Sequence, residues 1–143
     1  MKYQRITDTQ DKDIPYLTSV FKMPEVSRYI SIDEENYWNY VAKEENVYFF
    51  KTYNDSGELV AAIPCEIWDS TLYMAVTVVP EFWRKGIGTE ILNDIKTGKT
   101  PLCFEIIEVS IDKSNTASIA LFEKAGFKRV SKEDELINYV YEK

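Results

Sequence analysis

Val78-Val79-Pro80-Glu81-Phe82-Trp83-Arg84-Lys85-Gly86-Ile87-Gly88-Thr89 is the stretch on which the fold turns. An apolar, β-branched run stops at Pro80, the chain bends through Arg-Lys-Gly-Ile-Gly, and a helix-forming segment follows. Two glycines let backbone N–H groups converge on one concavity without interference from a Cβ. The helix N-terminus adds partial positive charge and Arg84 and Lys85 add formal charge, so a phosphate or pyrophosphate is the natural guest. A plain strand-to-helix turn that needs glycine for its dihedrals is the other reading of the same residues. The spacing is not a Rossmann fingerprint, because Glu90 and Ile91 stand where a third glycine is expected, and it lacks the Gly-Lys-Ser/Thr of a Walker A loop.

Working outward, residues 2–7 form a strand candidate, and Ile14, Leu17, Val20 and Phe21 recur at helical spacing in a first helix over 9–22 that Pro24 ends or interrupts. Ser31-Ile32-Asp33-Glu34 reads as a capping box opening a second helix through about Glu45. The β-formers of 47–53, the turn residues Asn54-Asp55-Ser56-Gly57, and the runs 58–68 and 72–79 predict an antiparallel meander. Then come a helix over 86–96, a strand over 102–111, a helix over 115–125 stopped by Gly126, and a strand pair at 127–130 and 136–141. The order β-α-α-β-β-β-α-β-α-β-β predicts one α+β domain over 1–143: a mostly antiparallel mixed sheet of about seven strands flanked by four helices.

Composition bounds what such a domain does. The 143 residues are 45% hydrophobic and 29% charged, enough for a packed core and too apolar for a disordered chain. No apolar run nears the ~20 residues of a membrane span, and the first residues carry no signal-peptide core, so a cytoplasmic protein is expected. Seventeen basic against 24 acidic side chains give a net charge of −7. That balance opposes a nucleic-acid partner; it serves solubility and also suits a cationic substrate. Cys65 and Cys103 lack metal-ligand spacing and are expected as free buried thiols. The chain has no histidine, which removes Ser-His-Asp and Cys-His catalysis and every histidine metal site, so no metal is expected.

The glycine turn resembles the acyl-CoA-binding loop of the GCN5-related N-acetyltransferase (GNAT) family, which reads Gln/Arg-x-x-Gly-x-Gly/Ala and stands here as Trp83-Arg84-Lys85-Gly86-Ile87-Gly88. The family's second signature is similar to Asn115-Thr116-Ala117-Ser118-Ile119-Ala120-Leu121-Phe122-Glu123-Lys124-Ala125-Gly126-Phe127, about 30 residues on and in the right order. Met23 to Ile30 and the Phe82-Trp83 pair resemble the branch that includes ribosomal-protein N-terminal acetyltransferases. The resemblance implies a GNAT-like domain that binds acetyl-CoA. The backbone of Val78 and Val79 would hold the pantetheine arm, and Trp83, Arg84, Lys85, Gly86, Ile87, Gly88 and Thr89 would surround the pyrophosphate. Asn115 would contact the cofactor, and Phe122 would stand near the thioester sulfur. Two positions depart from the family. Trp83 replaces the usual Gln or Arg, and Phe122 replaces a tyrosine that protonates the leaving thiolate.

The implied reaction is direct attack of an amine on the thioester, which asks for alignment, a polarised carbonyl and a route for protons. Without histidine, the candidates for proton transfer are Glu105 and Glu108 on the predicted strand over 102–111, and Tyr139, Tyr141 or Tyr73 in place of the missing phenol. Glu105 and Glu108 differ by three positions, so at most one faces a given side of a strand. The acceptor is a small-molecule or peptide amine, and a cationic one would suit acidic walls at residues 33–35 and 133–135. A monomer or homodimer is expected. The alternative is a catalytically weak acyl-CoA-binding regulatory module, which the phenylalanine at position 122 makes physically reasonable.

Overall fold

The structure is a computed structural model and describes residues 1–32 and 36–143. Eight strands form one sheet: β1 (Lys2–Arg5), β2 (Val47–Tyr53), β3 (Leu59–Trp68), β4 (Thr71–Met74), β5 (Thr77–Val78), β6 (Ile106–Asp112), β7 (Lys128–Glu133) and β8 (Leu136–Glu142). The order across the sheet is β1-β2-β3-β4-β6-β8-β7, with β5 continuing β4 along β3. Every pairing is antiparallel except β4 with β6. Helices α1 (Ile14–Lys22), α2 (Pro24–Ser27) and α3 (Tyr37–Lys43) cover one face; α4 (Ile87–Lys96) and α5 (Thr116–Lys124) cover the other. The expected α+β domain on a mostly antiparallel mixed sheet is therefore present, with eight strands and five α-helices among the described residues.

The extra strand and helix have local causes. The run 72–79, expected as one strand, divides into β4 and β5. Opposite the break stands Pro64 of β3, whose carbonyl accepts from Ala75 N–H at 3.1 Å but which has no N–H to return. Register is kept across the gap, with Cys65 against Met74 and Ala62 against Thr77, so the strand is interrupted without an inserted residue. Pro24 starts a helical turn of its own: Met23 before it is extended, as a residue preceding proline prefers, and α2 follows with Pro24 in its first turn.

Other boundaries moved. Asp8 and Asp11 accept from the backbone N–H of Gln10 and Asp13, which makes turns of residues expected to be helical and delays α1 to Ile14. Asp33 and Glu34 of the expected capping box lie outside the described residues, and α3 begins only at Tyr37, after an Asn36 whose side chain makes no cap bond. β6 begins at Ile106, because Leu102 and Phe104 are buried in an irregular segment. Cys65 is buried as expected, but Cys103 is exposed. Among the described residues, no helix is long and apolar enough to cross a membrane.

Two cores hold the helices to the sheet. Leu17, Val20, Phe21, Val26, Trp38 and Val41 pack on Phe49, Ala62 and Val79. Ile87, Ile91, Leu92, Ile95 and Phe122 pack on the other face, against Ile63, Leu72, Ile107 and Val109 among others. A polar clamp fixes the entry to α1. Lys51 of β2, 4% exposed, places its Nζ 3.0 Å from Asp11 and 2.9 Å from Asp13, and Tyr53 O–H also donates to Asp13. Burial works to raise the Asp13 carboxyl, but the Tyr53 hydroxyl and Lys51 outweigh it and hold the group below the usual carboxylate range.

Lys51→Met removes the cation and leaves two carboxylates facing each other. Because both carboxylates partly reach water, the expected loss is about 2–3 kcal/mol at pH 7, below the ~3–5 of a fully buried pair. A carboxyl depressed in the folded state stabilises above its unfolded value of about 3.9, and that contribution is lost as pH falls through the folded value. The gap between wild type and Lys51→Met, measured by urea melts, should therefore narrow from pH 7 to pH 3.

Candidate active site

β4 and β6 run side by side for three pairs, Thr71 with Ile106, Leu72 with Ile107 and Tyr73 with Glu108. Beyond them the strands part. β5 stays with β3, β6 stays with β8, and a cleft of about 690 Å³ opens between them, within the range of cofactor and substrate pockets. The start of α4, the first turns of α5 and the α2 segment complete its lining.

The backbone along the cleft is only half used. Val79 N–H donates to Val60 at 2.8 Å, so Val79 turns its peptide groups toward β3 and is buried. Strand alternation turns those of Val78 the other way, into the cleft. There the Val78 carbonyl accepts from Trp83 Nε1 at 2.8 Å. Trp83 thus ties the end of β5 to the loop that follows, by an indole N–H where the family motif has an amide or guanidinium.

The loop is built from unusual dihedrals. Pro80–Phe82 forms a single 3₁₀ turn, Trp83 is extended, and Arg84 and Gly86 have φ of +65° and +78°. A left-handed arginine is costly, so the surrounding fold must impose it. Gly86 caps α4, whose first bond is Glu90 N–H to the Gly86 carbonyl, and the N–H groups of Ile87, Gly88 and Thr89 have no partner within the helix. The two glycines serve separate needs. Gly86 meets nothing within 4 Å of a built Cβ and is required by its dihedral; a Cβ on Gly88 would stand 3.0 Å from Leu121 Cδ2, so glycine there lets α4 lie close to α5.

α5 is fixed at both ends. Asn115 Oδ1 accepts from Ser118 N–H at 3.2 Å, a side-chain cap. At the other end Phe127 N–H bonds the Phe122 carbonyl and Gly126 N–H bonds that of Glu123, with Gly126 at φ +92°, which is a Schellman motif. Its hydrophobic contact is the edge-on pair of Phe122 and Phe127, centroids 5.0 Å apart. The stop signal read at Gly126 therefore also sets the ring of Phe122, which lines the cleft.

Of the residues expected around a cofactor, Val78, Trp83, Arg84, Gly86, Ile87, Gly88, Thr89, Asn115 and Phe122 line the cleft. Val79 and Lys85 do not. Lys85 turns away, its Nζ 5.5 Å from the Phe82 ring, and borders a smaller depression with Asp55, Glu58 and Glu90. None of the acid–base candidates is brought to the cleft. Glu105 precedes β6, its N–H taken by the Ser70 carbonyl. Glu108 and Tyr73 face each other where the strands are still paired. Tyr139 is buried and donates to Glu123 at 2.8 Å; burial and then that carboxylate push its pKa above the usual phenol range. Tyr141 packs against Phe127, with Lys96 Nζ 5.1 Å from its ring.

Among the described residues, the ionisable side chains that do line the cleft are Glu25 and Tyr29 from the α2 segment, Arg84, and Asp112 at the end of β6. β6 buries Ile107, Val109 and Ile111, so its alternation sends Ser110 and Asp112 to the opposite face. Ser110 donates to Asn138 at 2.6 Å, and Asn138 to Ser131 at 2.8 Å. The hydroxyl and the N–H of Ser114 hold Asp112 below the usual carboxylate range, aided by the charges of Lys113 and Arg28. The Met23-Pro24 break and the resemblance of Met23 to Ile30 to one branch of the family were the sequence signals for the α2 segment; nothing local marked Asp112.

The fold is shared with known structures. The N-acetyltransferase PseH of Campylobacter jejuni superposes with a TM-score of 0.78 at 16% identity, over 99% of this chain and 97% of that one. Spermidine N-acetyltransferase from Vibrio cholerae, in complex with CoA and spermine, gives 0.79 at 13% identity, over 99% and 94%. The ribosomal-protein-S18-alanine N-acetyltransferase of Escherichia coli gives 0.69 at 15% identity, over 99% and 92%. No curated protein sequence matches the chain. The sequence profile of the acetyltransferase (GNAT) family matches residues 12–127, most of the chain and both of its glycine-bearing signatures. On that match the protein belongs to the acetyltransferase (GNAT) family.

Proposed function

We propose that the protein transfers an acetyl group from acetyl-CoA to a primary amine by direct attack in a ternary complex. The observation that carries the proposal is the cleft between β5 and β6, with the unsatisfied N-terminus of α4 at its end. The residues present fit such a cofactor. Parted strands leave backbone groups unpaired along the cleft, which suits an extended arm containing amides. The N–H groups of Ile87, Gly88 and Thr89, beside Arg84, form a donor set for a pyrophosphate. Acetyl-CoA bound there would supply an activated acetyl group; the chain's part is to align the amine and to keep hydrogen-bond donors near the acyl carbonyl. Asp112, held ionised at the rim, favours a positively charged acceptor. The Vibrio cholerae relative, crystallised with CoA and spermine, supports an acceptor of this chemistry.

Binding should be visible before any acceptor is known. CoA at a hundredfold excess over Kd is expected to stabilise the fold by ~2.7 kcal/mol, a rise in Tm of roughly 5–10 °C for a chain of this size. No shift with millimolar CoA, and no heat by calorimetry, would overturn the proposal. Turnover of no amine despite tight CoA binding would favour the binding-module reading, to which the ring of Phe122, bare of a hydroxyl, gives some weight.

The loop is expected to act through its backbone and Arg84. Gly86→Val forces a β-branched residue to φ near +78°, Gly88→Val meets Leu121, and Arg84→Ala removes the cation lining the cleft. Each should weaken CoA binding about tenfold or more, whereas Lys85→Ala should change it by less than about threefold. Calorimetric titration of the four variants checks this, and a large effect confined to Lys85 would place the phosphates in the neighbouring depression.

A further inference from the structure

Transfer of an acetyl group from a thioester leaves an electron pair on sulfur, and a donor near that sulfur eases the departure. Phe122, whose ring is set in the cleft by the Schellman turn and by Phe127, has no proton to give. A side-chain donor in this role would then come from elsewhere on the same walls. Arg84 belongs to the loop and does not deprotonate. Asp112 accepts from the hydroxyl and N–H of Ser114 and is held as a carboxylate. Glu25 is an exposed carboxyl at the rim. Among the described lining residues, Tyr29 carries the one phenol, and serine and threonine hydroxyls are far weaker acids.

The fold holds Tyr29, 36% exposed, on the lining of the cleft. Extended Met23 and Pro24 turn the backbone into α2, Val26 is buried in the core under it, and the N–H groups of Tyr29 and Ile30 both reach the Val26 carbonyl, at 3.1 Å each. Arg28 lies over the Tyr29 ring, 5.5 Å from its centroid, and Glu25, Val26, Tyr29 and Ile30 line the same cleft as Ser110 and Asp112 at the end of β6.

We infer that Tyr29 is the general acid of the reaction, the catalytic residue that protonates the leaving thiolate in place of a phenol at position 122. The inference rests on the acetyl-transfer reading above. An acceptor ammonium first gives one proton to water. Its nitrogen then bonds to the acetyl carbon, the carbon–sulfur bond breaks with the electron pair on sulfur, and Tyr29 O–H passes its proton to that sulfur to form the thiol. The second proton from nitrogen returns through water to the Tyr29 phenolate. One proton in all goes to bulk.

The decisive measurement needs no acceptor. CoA and desulfo-CoA, which has hydrogen in place of the thiol, are titrated calorimetrically into wild type, Tyr29→Phe, and Tyr29→Phe with Phe122→Tyr. Loss of an O–H donor to sulfur should lower the CoA-to-desulfo-CoA affinity ratio about threefold in Tyr29→Phe at pH 7, and by more at pH 9, where more of the thiol is ionised. The second phenol should restore the ratio. A structural role for Tyr29 would weaken both ligands together and leave the ratio alone. With acetyl-CoA and spermidine, kcat should fall about 10²-fold in Tyr29→Phe and recover in the double variant, with KM for acetyl-CoA nearly unchanged. An unchanged ratio at both pH values, with CoA still bound, overturns the role of Tyr29 alone. Absence of CoA binding in wild type overturns the acetyl-transfer reading and this inference together.

Discussion

One missing donor shapes the centre of the molecule. Pro64 occupies a position in β3 whose N–H would have completed the ladder to the strand beside it, and at that point the strand divides into β4 and β5. The parallel pairing of β4 with β6 ends just before, at Tyr73 and Glu108. Everything proposed for function lies beyond that line, where two strands of one sheet no longer touch. Buried peptide groups without partners are unfavourable, so a gap of this kind is stable only when water or a ligand fills it. Trp83 deals with one such group, the Val78 carbonyl, and fastens the phosphate-side loop to the strand in doing so.

The two helices that close the cleft are positioned by their ends. α4 starts from a left-handed glycine behind a left-handed arginine, so its free N–H groups face the cleft at a cost in backbone strain. α5 is capped by Asn115 and stopped by Gly126, and the hydrophobic contact of that stop is also what seats Phe122. Gly88 brings the helices together against Leu121. Local rules of helix termination thus become the walls of the site.

This division explains what the sequence made legible. Strand, glycine turn and helix at 78–89, the hairpins, and the stop at Gly126 depend on neighbouring residues, and local pattern was enough to read them. The split at Ala75 depends on a proline in another strand, and nothing within 72–79 announces it. The same limit applied to the site. The anion-binding character of Gly86, Gly88 and Arg84 followed from local geometry and the other positions around the turn from the family resemblance, while the directions of Val79 and Lys85 are set by β3 and by Phe82. Glu105, Glu108, Tyr139 and Tyr141 had suitable chemistry but lie outside the cleft, because the side a strand residue faces depends on where its neighbours stop pairing. Glu25 and Tyr29 come from one segment and Asp112 from another far from it in sequence, and only the packed fold brings them to one cleft.

The three-pair seam between β4 and β6 also has a consequence for how the chain finds its shape. On one side lie β1, β2, β3, β4 and β5, on the other β6, β8 and β7, and in the sheet only the seam joins them. The hairpins β2–β3, β3–β4 and β7–β8 close short loops, while Thr71 and Ile106 are 35 positions apart with α4 between them, and Arg5 and Phe50, which join β1 to β2, are 45 apart. Loop entropy delays such contacts, so the hairpins are expected to form first, and the seam and the β1 edge later. The cleft is then a late feature of folding, and the narrow join beneath it is the natural axis about which the two half-sheets breathe.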